Sequence, residues 1–293
     1  GVDGLCPEHL MYAHESLIRH LTNLFNLILT HGYVPRNFSA GIIIPILKNR
    51  HGDSNCLDNY RGITLSTVLS KVFEICLKDK LSQFFCTNDL QFGFKKGYGC
   101  QHAIYTVQNV VDYFRKRGSH IVIATLDASK AFDRVDHCCL FSKLIERGVP
   151  LCFIAVLHDW YGKLSSIVRW RNCYSKSFVI KAGVRQGGIV SPILFNVYMD
   201  ELILQLSVCG YGCYLNRQFV GCVMYADDIL LMSASVVGLQ NLLDICYVYC
   251  VDVGLTLNAK KSNCVFIGGR GPQLISNMSI GGQDIEWSTS IKY

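Results

Sequence analysis

Two stretches place carboxylates at the ends of apolar runs. In "HIVIATLDASKAF" (residues 120–132) Asp127 is the first charge after His120; in "VMYADDILLMSA" (223–234) Asp227 and Asp228 stand side by side between segments that read as buried strands. If the two elements are neighbours in one sheet, three carboxylates converge at strand ends. Converging carboxylates in a partly dry setting repel, so a pKa rises unless cations neutralise them. Mg²⁺ suits that role, with Mn²⁺ as an alternative ion, because it takes one or two protein carboxylates and completes its shell with waters and substrate phosphates. Two such ions, roughly 3.5 to 4 Å apart, clamp the attacking and departing oxygens of an in-line phosphoryl transfer. The structural alternative is a plain hairpin tip, since aspartate is a common turn residue.

The surrounding elements must position these acids. The apolar run over 120–126 predicts a strand that ends at Asp127, and 220–225 with 229–233 predicts a hairpin carrying the two other acids at its tip. Leu17, Ile18, Leu21, Leu24, Phe25 and Ile28 are at helical spacing within 13–30, and Gly32 and Pro35 close that helix. Further helices are predicted at 66–85, 101–117, 139–147, 151–164 and near 236–253, and further strands at 40–48, 177–182 and near 263–267. Residues 49–62 read as a polar loop. Pro45 predicts an edge position for the 40–48 strand, because proline has no N–H to give to a ladder. In "GVRQGGIVSPILFNVYMDEL" (183–202) Gly187 and Gly188 permit close backbone approach, and Ser191 with Pro192 reads as the N-cap and first turn of a helix. A β-rich second half with interleaved helices points to the α+β class with a split-βαβ sheet.

Composition narrows the function classes. The 293 residues are 50% hydrophobic and 17% charged, enough to bury a sizeable core and unlike a disordered or fibrous chain. Fifteen cysteines at irregular spacing, without a CxxC pair, read as reduced core thiols rather than a disulfide scaffold or a zinc site. The apolar runs stop well short of the roughly 18 to 20 residues that span a bilayer, and no signal peptide opens the chain. An intracellular, soluble protein without a membrane partner is expected, in the nucleus or the cytoplasm. A net charge of +6 with basic clusters at 95–96, 114–118 and 169–171 is compatible with a nucleic-acid partner. Gly at residue 1 and an end at "STSIKY" suggest a segment of a longer polypeptide. Hydrolase motifs of the GxSxG, HExxH and Walker types do not occur.

"YADD" between apolar strands, "LDASKAFDRVDH" (126–137) and "GVRQGGIVSPILFNVYMDEL" resemble the core motifs of reverse transcriptases, specifically those of non-LTR (LINE-type) retrotransposons. "FSAGIIIPILK", "NYRGITLSTVLSKVFE", "QFGFKKGYGCQHAI" and "GLTLNAKKSNCVFIGG" match further blocks in the family's order, so the resemblance covers nearly the whole chain. It implies a right-hand polymerase fold, with fingers over 1–96 and palm over 97–293, and with about 140–176 returning to the fingers. It implies Asp127 and Asp227 as principal metal ligands supported by Asp228, and two-metal extension of a DNA primer 3′-hydroxyl with dNTPs on an RNA template. Phe132 falls where the family keeps an aromatic gate against a 2′-hydroxyl. Gln186 and Gly187 match the block that contacts the incoming nucleotide and template, and Lys48 and Arg61 match fingers residues that hold the triphosphate. Lys261, or its neighbour Lys260, fits the proton donor to pyrophosphate, and Lys95 and Lys96 fit template phosphate contacts. The thumb, the primer-grip hairpin expected from "IKY" onward, and the endonuclease region of the parent polyprotein are expected to be missing. A catalytically inactive RNA-binding palm module and a nucleotide cyclase on a related palm are the alternatives. Primer extension separates the polymerase from both.

Overall fold

The structure, a computed structural model, describes residues 3–49, 52–268 and 277–290. Its strands, in chain order, are β1 (Ala40–Leu47), β2 (Tyr60–Ser66), β3 (Ile121–Asp127), β4 (Ser165–Trp170), β5 (Cys173–Tyr174), β6 (Phe178–Val179), β7 (Tyr214–Leu215), β8 (Gln218–Phe219), β9 (Cys222–Tyr225), β10 (Asp228–Ser233), β11 (Asn263–Ile267), β12 (Met278–Ile280) and β13 (Gln283–Trp287). The chain divides into two compact units, residues 1–86 with 136–194, and residues 87–135 with 195–293.

In the first unit a sheet runs in the order β2-β1-β4-β5, with β6 also on β4. The isoleucines of β1 are stiff at χ1 and favour a pleated backbone. β1 pairs antiparallel with β2 along its length, from Gly41 opposite Ser66 to Leu47 opposite Tyr60. It pairs parallel with β4 over Ala40–Ile43 alone. β1 is therefore an inner strand, not the edge strand that Pro45 suggested. Proline is accommodated because at residue 45 the strand has a neighbour on one side, where it faces Gly62.

Helices Ser16–His31, Val68–Leu81 and Leu151–Gly162 are the longest in this unit. The first ends on Gly32, whose φ of 62° is the left-handed conformation glycine tolerates. Thr67 caps the second by accepting from the Ser70 N–H at 3.3 Å. Their apolar stripes meet in an aromatic cluster, with Phe73 ring centroids 5.1 Å from Phe25 and 5.5 Å from Trp160. Burying each such side chain contributes about 1.5–3 kcal/mol.

The second unit holds a six-stranded sheet in the order β12-β13-β11-β3-β10-β9. Central β3 is antiparallel to β10 on one side and β11 on the other. Ile121, Val122, Ile123, Ala124 and Leu126 are all buried, so the strand is covered on both faces and reads as a continuous apolar run. Ala103 and Val110 of helix Cys100–Lys116 pack with Ile121, Ile123, Leu230 and Met232. Helix Val236–Asp252, capped by Ser235, packs against β10 and β3. Helix Ser191–Val208 buries Leu194, Phe195, Tyr198, Leu202 and Leu206 completely.

The helix expectations, and those for the strands at 120–126, 220–225, 229–233 and 263–267, agree with these elements to within a few residues. β2 instead occupies part of the expected loop and the start of the expected helix, and the strand expected at 177–182 shrinks to Phe178–Val179. β4, β5 and the β12–β13 hairpin were not anticipated. The expected start of a primer-grip hairpin, residues 291–293, lies outside the described residues. Among the described residues, no helix is long and apolar enough to cross a membrane.

Burial pushes the thiols of Cys222, Cys250 and Cys264 up to about 12, from an ordinary value of 9.0. Once unfolded they ionise near the ordinary value, so the unfolded state binds fewer protons above it. Unfolding free energy should therefore fall as pH rises above about 9. Thiol titration at pH 8 should label exposed Cys152 and Cys173 in the native protein and Cys222, Cys250 and Cys264 only after denaturation. Equal labelling rates for both groups would overturn this assignment.

Candidate active site

Asp127 is the last residue of β3 and Asp228 the first of β10, and the antiparallel register sets them directly opposite each other. Directly opposed residues share a sheet face, with Cβ atoms about 4.5–5.5 Å apart. Both line one open cavity of about 260 Å³ with Thr125, Leu126, Ile229, Lys261 and Asn263. Like charges directly opposed on a sheet destabilise it. The ladder behind them, in which Leu126, Ala124 and Ile123 face Ile229, Leu231 and Met232, is apolar enough to hold the register against that repulsion. Asp227 belongs to the turn between β9 and β10 and is not among the residues lining this cavity. Among the described residues, no group of three His, Cys, Asp or Glu side chains is placed to hold a metal ion. The structure thus brings together two of the three expected carboxylates at one cavity.

The turn carrying Asp227 is fixed by a side chain that sequence reasoning passed over. Ala226 has a φ of 58°, a left-handed conformation that costs a non-glycine residue energy. Gln91, fully buried, grips that residue on both sides. Its Oε1 accepts from the Ala226 N–H at 2.9 Å and the Gly93 N–H at 2.9 Å, and its Nε2 donates to the Ala226 carbonyl at 3.3 Å. Backbone bonds add to the grip: Met224 N–H donates to the Leu90 carbonyl, and Phe92 N–H to the Met224 carbonyl, each at 2.8 Å. A Cβ on Gly93 would lie 2.5 Å from the Ala226 nitrogen, so this approach requires glycine.

Asp127 is held from the other side by the "NAKKS" segment. The Asn258 N–H donates to the Asp127 carbonyl at 2.9 Å, and the Asp127 N–H to Ser262 Oγ at 3.3 Å. A single 3₁₀ turn, Ala259–Lys261, follows. Lys261, unlike Lys260, is among the cavity-lining residues. The Phe132 ring stacks on buried Phe195, with centroids 4.5 Å apart and planes inclined by 14°, and its edge meets Phe94 at 6.2 Å. Lys95 donates to the Thr87 and Asn88 carbonyls at 2.9 and 2.5 Å and so helps to fold its own loop, whereas Lys96 is exposed.

The remaining candidates lie in the first unit. Arg61 is exposed on β2 opposite Ile46, and Lys48 donates to the Asp58 carbonyl at 2.9 Å. The Gln186 carbonyl accepts from the Thr64 N–H of β2 at 2.7 Å. Gly187 follows with a φ of 111°, and a Cβ there would meet the Thr64 carbonyl oxygen at 2.7 Å. Glycine at 187 is therefore required by both conformation and space.

Residues 46–293 match the family model described as "Reverse transcriptase (RNA-dependent DNA polymerase)". The chain belongs to this family. Among relatives of this reverse transcriptase chain is the Pol polyprotein of the type-2 retrotransposable element R2DM of Drosophila melanogaster, 30% identical over 273 residues, covering 93% of the chain and 25% of that protein. Another is the RNA-directed DNA polymerase from mobile element jockey of Drosophila funebris, 29% identical over 271 residues, covering 89% of the chain and 29% of that protein. The chain thus spans about a quarter of the length of these relatives. Among solved structures, apo telomerase of Candida tropicalis, truncated from its C-terminal domain, shares the fold with a TM-score of 0.57 at 14% identity, over 92% of this chain and 58% of that one. Telomerase of Candida albicans shares it with a TM-score of 0.56 at 13% identity, over 89% of this chain and 48% of that one. The α+β polymerase fold expected from the reverse transcriptase motifs is the fold observed.

The donor set at the cavity of this reverse transcriptase fits a hard divalent ion. Two carboxylates on one face, beside the amide of Asn263, are oxygen donors of the kind Mg²⁺ takes while keeping waters and phosphate oxygens as its other ligands.

Replacing Gln91 by Leu should leave the buried Ala226 amide without its acceptor and lower unfolding free energy by about 1–3 kcal/mol. Urea unfolding followed by far-UV circular dichroism measures it. An unchanged midpoint would show that the turn does not depend on Gln91.

Proposed function

We propose that this chain carries the nucleotidyl-transfer centre of an RNA-directed DNA polymerase from a non-LTR retrotransposon, with fingers over residues 1–96 and about 140–176 and palm over the rest of 97–293. The observation that carries this reading is the direct opposition of Asp127 and Asp228 over a cavity that Lys261 also lines. Its substrates are an RNA template, a DNA primer and deoxynucleoside triphosphates.

Asp127 and Asp228, with Asp227 on the adjoining turn, are the groups that would hold Mg²⁺, or Mn²⁺ in its place. Bound there, such ions supply activation of the primer 3′-hydroxyl and compensation of charge on the departing pyrophosphate. Lys261 gives its ammonium proton to the pyrophosphate oxygen as the bond to the α-phosphorus breaks. Arg61 presents a planar fork to the triphosphate oxygens, and Lys48 adds a point charge. Gln186 and Gly187 contact the incoming nucleotide. Phe132, braced on Phe195, leaves no room beneath the sugar for a 2′-hydroxyl.

An anionic single-stranded partner is supported by charge. From Trp160 to Met199 the chain has no acidic residue, yet it carries Arg169, Arg171, Lys176 and Lys181 outside the core. Exposed Trp170 and Tyr174 within this stretch offer rings on which bases stack. Lys96, and Lys95 where its loop allows, would meet template phosphates without reading sequence.

Asp127→Asn and Asp227→Asn should each abolish primer extension on an RNA template while circular dichroism and thermal melting stay close to the parent. Residual extension above a few per cent in either variant would remove that carboxylate from the metal role. Chelation by EDTA should stop extension and leave template retention in a filter-binding assay. Phe132→Val should raise ribonucleotide incorporation in single-nucleotide extension; unchanged discrimination would assign the ring to packing alone.

A further inference from the structure

The turn Gln186–Gly188 is suspended between two buried charged side chains on which the catalytic reading does not draw. Glu74, on helix Val68–Leu81, is 5% exposed, and Arg185, immediately before the turn, is 7% exposed. Glu74 Oε2 accepts from the Ile189 N–H, and from the Val190 N–H at 2.9 Å. Arg185 donates from one terminal nitrogen to the Phe38 carbonyl at 3.1 Å and from the other to the Ser39 carbonyl. Both side chains line the same small cavity with Tyr161, Trp160 and Ser191.

Burial raises the Glu74 carboxyl from its ordinary range, while the Val190 and Ile189 N–H groups, then Arg185 and Lys71, pull it back down. Burial likewise lowers the Arg185 guanidinium, opposed by Tyr161 and Glu74. Each charge is therefore tolerable because of the backbone groups it binds, with the attraction of the other a smaller contribution. Those backbone groups bracket the turn. Arg185 ties its entry to the segment that leads into β1, Glu74 ties its exit at residues 189 and 190, and Thr64 of β2 holds its middle through the Gln186 carbonyl. There is little slack. A Cβ on Gly188 would lie 2.5 Å from Ser191 Oγ and 3.3 Å from Glu74 Oε2, and one on Gly187 would strike the Thr64 carbonyl.

We propose that Glu74 and Arg185 are positioning residues for the nucleotide: together they fix the Gln186–Gly187 backbone against β2 and so set deoxynucleotide affinity. This inference rests on the assignment of Gln186 and Gly187 to the incoming nucleotide. A simple helix carboxylate would have no reason to lie on the buried stripe. Here it takes the two amides by which the turn leaves β2 and enters the helix that begins at Ser191.

The test compares the parent with Glu74→Gln, which keeps an acceptor oxygen but removes the charge, and with Glu74→Ala, which removes both. Steady-state extension should show KM for dNTP raised about tenfold in Glu74→Gln and further in Glu74→Ala, with kcat within about threefold and template–primer affinity unchanged. Hydrogen exchange should quicken at the Ile189 and Val190 amides, and more so in Glu74→Ala than in Glu74→Gln. Should Glu74→Ala fail to fold, Glu74→Gln decides alone. Faster exchange at 189 and 190 with an unchanged KM would overturn the proposal and leave Glu74 a structural residue. A parallel loss of kcat, template affinity and melting temperature would overturn it too. Binding of a fluorescent dNTP to the parent and Glu74→Gln, read by anisotropy, needs no turnover. It tests this inference even if the parent extends no primer, the result that would instead sink the polymerase reading.

Discussion

The register between β3 and β10 is the constraint on which the rest of the molecule turns. Because strands repeat every two residues, a slip of one would send Asp228 to the opposite face and bury it in the core. That slip is prevented by the buried apolar residues behind the acids, Val122, Ile123, Ala124 and Leu126 against Ile229 to Met232. β11 on the far flank of β3 and the helices against the sheet exist, in this sense, to keep two like charges at one address. The repulsion between them is the exposed end of a cooperative ladder, affordable because about 1.5–3 kcal/mol accompanies each buried side chain behind it.

The two units solve their positioning problems with different physics. In the second, the carboxylates stand at strand ends, fixed by a dry apolar sheet. In the first, the Gln186–Gly188 turn has no ladder of its own, so polar groups hold it: Arg185 donating to two carbonyls, Glu74 accepting from two amides, and the Thr64 N–H donating to one carbonyl. Apolar packing is forgiving of small shifts, whereas a buried hydrogen-bond network is satisfied in one arrangement or costs the full desolvation of its members. A loop that must present backbone to a ligand benefits from the second kind of anchor.

Much of this was legible in the sequence where a single pattern extended over many residues. The strand into Asp127 and the "YADD" hairpin read correctly because continuous burial leaves an unbroken apolar run, and the long helices because a 3.6-residue stripe persists for three turns or more. β2 did not, since "YRGITLS" mixes an arginine, a glycine and three hydroxyl or phenol residues in seven positions, and its pairing with β1 is a tertiary fact. Pro45 misled by a general rule applied to a whole strand, when β1 changes from inner to edge at Ile43. Glu74 did leave a trace. With Ser70, Phe73, Leu77 and Leu81 it lies on the buried stripe of its helix, and a carboxylate on such a stripe demands partners that the helix itself cannot supply.

The adjacency of Asp227 and Asp228 acquires a physical account from these contacts. Asp228 is the first residue of a strand, so its direction follows from the ladder and is tied to that of Asp127. Asp227 precedes the ladder, and its direction follows instead from the backbone of Ala226, which sits in the left-handed region under the grip of Gln91. Two neighbouring carboxylates are thus set by two independent devices, one a sheet register and the other a buried amide. They can diverge at the Cα atoms and be tuned separately, whereas two acids in consecutive strand positions would be locked to opposite faces by the pleat. Gln91 then belongs to the site as fully as the acids do, since a turn free to relax out of the left-handed conformation would carry Asp227 with it and leave Asp228 where it stands.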